Sequence, residues 1–139
     1  METIVIPAIN MAVIAPEVIL SLFAMALLLI NVFVKGESTA YLGYLSIAGI
    51  IVTLFSLVSG WGYPLEGFSG TIVQDNFAIF FKVIFLISAA MSILITDRYI
   101  VREGCNQGEI YPLILFATVG MMLMAAGTDL MTIFLGLEV

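Results

Sequence analysis

Apolar and polar positions alternate along this chain in long blocks: four extended apolar runs separated by short polar breaks, then the opening of a fifth. Residues 1–15 are apolar but interrupted by Pro7 and Asn10, and too short to cross a bilayer. They predict an interfacial segment, or one docked on neighbouring protein. Residues 16–34 read as a first transmembrane helix. Pro16 occupies a tolerated first-turn position, Glu17 suits the positive end of the helix dipole, and Asn31 is the one strongly polar side chain inside. Lys35-Gly36-Glu37-Ser38 makes a turn, and a second helix follows from about Tyr41 to Gly60. Its Ser46, Gly49, Thr53, Ser56 and Gly60 are alternately three and four residues apart, so they share one face. Small side chains there let another helix approach closely, a better reading than a polar channel lining.

Residues 61–76 form the longest connection before the next helix and carry Trp61, Tyr63 and Phe68, aromatics that favour the membrane–water boundary. Asp75-Asn76 offers capping side chains for a third helix from about Phe77 to Thr96. Lys82 lies about one and a half turns into it. Two readings stand for this lysine: its stem snorkels back to the headgroups, the favoured one, or it forms a buried ion pair or proton relay. Ser88, Ser92 and Thr96 repeat at four-residue spacing as a second packing seam. DRYIVREGCNQGE then reads as a polar loop with Arg98 and Arg102, cations suited to a helix C-terminus. A fourth helix begins near Tyr111-Pro112 and ends near Ala126, with Glu109 in a cap-like position. Met121, Met122 and Met124 point to adaptable packing, because no Cys or His partners exist for a soft metal.

After a hinge at Gly127, Thr128 and Asp129 the fifth apolar segment carries one carboxylate, Glu138. If the helix starts at Asp129, Glu138 lies about 13 Å along it at ~1.5 Å per residue. In a hydrocarbon core about 30 Å thick, that is close to the middle. A carboxylate there costs roughly 2.5–3.5 kcal/mol on insertion scales, so it reads as a functional group facing protein or a water-filled path.

Composition narrows the class. With 63% hydrophobic and 10% charged residues the chain belongs in a bilayer, since soluble domains carry far more charge. Four Lys and Arg in all exclude a nucleic-acid surface. One cysteine, Cys105, and no histidine exclude a Cys/His metal site and an internal disulfide. The N-terminus lacks the basic region of a cleaved signal, and no nucleotide loop or catalytic triad occurs. Lys35, Arg98 and Arg102 fall on one side of the predicted helices, and the 61–76 loop and N-terminal segment carry no Lys or Arg. The positive-inside rule therefore puts the N-terminus outside and Cys105, reduced, in the cytoplasm. The fold expected is an all-α polytopic membrane protein with four transmembrane helices and the first half of a fifth. The fifth segment is too short to span. A truncated sequence, a fragment of a longer protein and a half-helix buried against partners would each account for it, and the fragment is preferred.

The run YPLILFATVGMMLMAAGTDLMTIFLGLE resembles the fourth helix and start of the fifth in the antiporter-like membrane subunits of respiratory complex I. Within that family it is similar to subunit N of bacterial NADH:quinone oxidoreductase. DNFAIFFKVIFLISAAMSIL resembles the preceding third helix. The resemblance covers most of residues 16–139 and only the N-terminal portion of a member. It implies a fold of inverted repeats with broken helices near the midplane. The chain would then divide into an interfacial segment (1–15), three leading helices with their loops (16–109), and the start of the first repeat (110–139). It also implies proton translocation driven by electron transfer elsewhere, in a multi-pass subunit of the bacterial inner membrane. Its partners would be other membrane subunits, and NADH, flavin, iron–sulfur clusters and quinone would reside in other chains, with none in this one. The family's functional glutamate corresponds to Glu138, paired in the family with a lysine on the seventh helix. Burial favours the neutral acid and a nearby ammonium the ionised one, so moving that partner would switch Glu138 between holding and releasing a proton. Lys82 matches no family role and stays a relay or structural candidate. A multisubunit cation/proton antiporter or membrane-bound hydrogenase subunit, and a purely structural membrane scaffold, remain as alternatives.

Overall fold

The computed structural model describes residues 11–34, 40–67, 70–105 and 107–139. A short 3-10 turn, Met11–Ile14, leads into helix α1, Ala15–Phe33. Helix α2 covers Ala40–Ser59, strand β1 Leu65–Gly67 and strand β2 Ile72–Gln74. Helices α3 (Asn76–Glu103), α4 (Ile110–Ala126) and α5 (Leu130–Glu138) complete the order. Pro7, Asn10, the turn from Lys35 to Ser38, and Phe68 lie outside the described residues. Three helical stretches, Met11–Phe33, Ala40–Ser59 and Asn76–Glu103, are long and apolar enough to cross a membrane.

Helices α1 to α4 pack as a ring, each on the next and α4 back on α1, while α5 lies against α4. The interior is filled from regularly spaced positions. Leu20, Ala24 and Leu27 of α1 meet Leu42, Ile50 and Leu57 of α2, Ile79, Leu86 and Ile93 of α3, and Tyr111, Leu115 and Met122 of α4. In α3 the buried residues Ile79, Leu86, Ile93 and Ile100 recur every seventh position, the seam of helices crossing at small angles. Large apolar side chains also cover the outside: Leu22, Leu29, Phe55, Phe80, Ile87 and Ile95 are all exposed. Helices apolar on every side suit lipid and not water.

The predicted α2 stripe packs inward. Ser46, Gly49 and Thr53 are buried, and a Cβ on Gly49 would come within 2.9 Å of the Phe23 ring on α1. The hydroxyls of Ser46 and Thr53 donate to the carbonyls of Leu42 and Gly49, four residues back. They need no water-filled channel. The predicted α3 seam does not behave this way: Ser88 and Ser92 are exposed, and α3 turns Lys82, Leu86, Ala89 and Ile93 to the core instead. Four-residue spacing alone could not tell which side faced the bundle.

Two further differences concern boundaries. Helix α3 does not stop at Thr96 but runs through Asp97–Glu103, so the polar stretch is mostly helix. Gly104, at φ +65°, ends it in the left-handed conformation that glycine adopts without strain. The loop before α3 contains a hairpin, β1 pairing antiparallel with β2 in the register Leu65↔Gln74 and Gly67↔Ile72. That hairpin packs on the 3-10 turn, α3 and α4, at the end where α1 and α3 begin. It also holds the α4–α5 hinge, since the Thr128 N–H donates to the Thr71 carbonyl at 3.0 Å and Ile72 bridges Gly127.

Asp75 caps α3 as predicted, its carboxylate accepting from the Ala78 N–H at 2.8 Å. Asp75→Ala should therefore lower stability by about 1 kcal/mol, read as a small drop in thermal midpoint of the detergent-purified full-length protein.

Candidate functional site

Glu138 closes α5, and the way α5 is seated fixes where its carboxylate points. Gly136 is buried against α4, where a Cβ would stand 2.8 Å from Met124 Cγ and 2.9 Å from the Gly120 carbonyl. A Cβ on Gly120 would in turn meet the Gly136 carbonyl at 2.5 Å. Two helices approach this closely only where both lack side chains. Glu138 follows Gly136 by two residues, about 200° around the axis at 3.6 residues per turn, so it faces away from α4. It is exposed on this chain and forms no ion pair among the described residues. Gly136→Leu should overpack this contact by about 1–3 kcal/mol and displace α5, measured as loss of assembled protein without any change in charge.

Lys82 is fully buried and does not snorkel. Its Nζ pairs with Glu17 Oε1, and Glu17 is itself only 3% exposed. Glu17 stands in the first turn of α1 and Lys82 near the start of α3, and these helices sit diagonally across the ring. The ion pair thus crosses the bundle interior. Glu17 Oε2 is buried with no hydrogen-bond partner among the described residues, as is Oε1 of Gln74 in the hairpin above. On one side Glu17 lines a cleft of about 430 Å³ between α1, the hairpin, α4 and α5, with Ser21, Ile72, Leu123, Thr132 and Leu135 among its walls.

The amino-acid order alone assigns Glu17 to the helix dipole and offers a buried ion pair as the second reading of Lys82, without naming the partner. The signal was available: an acid and a lysine, each near the start of its helix, in two helices an even number of crossings apart. The structure does not bring Glu138 and Lys82 together. At the far end of the ring, Tyr111 donates from its hydroxyl to Asp97 Oδ1 at 3.0 Å, beside Gly43. Cys105 is exposed. No group of metal-ligating side chains occurs among the described residues.

NADH-quinone oxidoreductase subunit N of Trichlorobacter lovleyi is 62% identical over 130 residues, 94% of this chain. By sequence, the chain is a relative of subunit N. The subunit N of Chloroflexus aggregans is 38% identical over 99% of the chain, and that of Rhodospirillum rubrum 35% over 88%. The resemblance over most of residues 16–139 is thus matched by relatives aligned along nearly the whole chain. The chain spans about a quarter of the length of these relatives, 27% of the first. No family model matches it.

Proposed function

We propose that this chain is part of a proton-translocating membrane-arm subunit of an NADH:quinone oxidoreductase, with Glu138 taking up and releasing the proton. The observation that carries the reading is the 62% identity to a subunit N along 94% of the chain. Physical chemistry supports it: Glu138 is the one ionisable side chain in the nine residues of α5, about 13 Å past the hinge, where an unused charge would be costly. In this reading α4, 17 residues long, also spans, which its length permits. The N-terminus lies outside, α4 and α5 open the first inverted repeat, and the exposed side of α5 is covered by further helices. The site is the bacterial inner membrane. No redox chemistry is assigned to these residues; NADH, flavin, iron–sulfur clusters and quinone belong to partner subunits.

The test is association. A tag on the full-length chain, expressed at its native level and purified in mild detergent, should recover flavin- and iron–sulfur-containing subunits that oxidise NADH. Recovery of cation/proton antiporter subunits alone, without NADH oxidation, would overturn the reading.

A further inference from the structure

The Glu17–Lys82 pair lies apart from Glu138, and its surroundings are unlike those of a structural ion pair. A buried pair offsets its desolvation only when its remaining lone pairs and protons are also satisfied. Here Glu17 Oε2 has no partner among the described residues, and Lys82 Nζ has none beyond its contact with Glu17. A buried polar atom left unmatched marks a place for water. Glu17 also forms part of the cleft wall, with both carboxylate oxygens buried just behind it. The other elements around the cleft bring no charge to it: Thr71 and Ile72 come from the hairpin, Val119 and Leu123 from α4, Thr132 and Leu135 from α5. Lys82, from α3, is the charged group that meets the carboxylate. Leu135 precedes Glu138 by three positions, less than one helical turn, so the α5 wall of the cleft runs toward Glu138.

We propose that Glu17 is a second proton-exchanging carboxylate, positioned by Lys82 at the end of the bundle where α1 and α3 begin and served by water in the cleft. In the loading step a hydronium ion in the cleft gives its proton to Glu17 Oε2. A carboxylic acid and a water form, and Lys82 stays an ammonium. Release is the same exchange reversed, with no bond other than O–H made or broken. The inference rests on the proposed function, and its test separates the two.

Membrane vesicles holding the complete complex are treated with dicyclohexylcarbodiimide, which adds to protonated carboxyls in apolar surroundings, and adducts are located by peptide mass spectrometry. A Glu17 adduct is expected in the unaltered complex, because a carboxylate that exchanges protons is part of the time an acid. A pair that stays permanently ionised gives none, and absence of the adduct while other membrane carboxyls are labelled overturns the proposal. In parallel, the charge-matched double variant E17Q/K82M should lower NADH-driven proton pumping at least twofold per assembled complex. A purely structural pair predicts pumping at the unaltered rate, which also overturns it. If E138Q impairs pumping and E17Q/K82M does not, this inference alone fails. If E138Q pumps normally, the proposed function fails with it. Should the double variant not assemble, the labelling of the unaltered complex decides.

Discussion

Glu138→Gln, introduced into the full-length subunit within its complex, is expected to reduce NADH-driven proton pumping about a hundredfold, the lower end of the ~10²–10⁴ that positioned proton-transfer groups contribute. Glutamine keeps the length and shape of glutamate but cannot ionise, so the loss follows from the missing proton site and not from packing. The seat of α5 makes this a clean substitution. Its grip on α4 comes from Gly136 against Gly120 and Met124, while residue 138 faces the other way. Assembly, judged by native electrophoresis, should therefore be unchanged while vesicle acidification, followed with a pH-sensitive dye, collapses. A structural scaffold predicts unaltered acidification, because glutamine packs as well as glutamate.

Lys82→Met alone is expected to be the most destabilising single change, costing about 3–5 kcal/mol, because it leaves Glu17 buried without its counter-charge. The cost should show as loss of assembled complex and a lowered thermal midpoint in detergent. Adding Glu17→Gln to the same chain should restore most of it, since a neutral pair of similar volume places no bare charge in the interior. The non-additivity identifies a direct pair; two independent sites would give costs that sum. Had Lys82 snorkelled to the headgroups, K82M would cost little and the second substitution would rescue nothing.

The parts of this architecture that depend on local chemistry were readable from the amino-acid order. Pro16 near the start of α1, Asp75 capping α3 and the break at Gly127-Thr128-Asp129 each place an element boundary within a residue or two. The α2 stripe was readable because glycine and hydroxyl residues repeat at helical spacing, and Gly49 against Phe23 uses that face. What failed depended on three-dimensional neighbours. Ser88 and Ser92 follow an equally regular pattern yet face outward, because the seven-residue repeat of Ile79, Leu86 and Ile93 decides which side of α3 enters the core. The extension of α3 to Glu103 was hidden by polarity; Gly104 was the stop signal, and a helix can leave the apolar layer without ending. The β1–β2 hairpin rests on three paired residues per strand, too few to register as alternation. Glu17 and Lys82 are 65 positions apart, and only the diagonal placement of α1 and α3 brings them into contact.

The most direct measurement is a density map of the assembled complex that fixes the depth and neighbours of Glu138. Its carboxylate is expected near the bilayer midplane, enclosed by further helices of the same subunit and facing a lysine or a file of water. A carboxylate directed at acyl chains with no protein beside it, or standing in open solvent, would contradict this expectation.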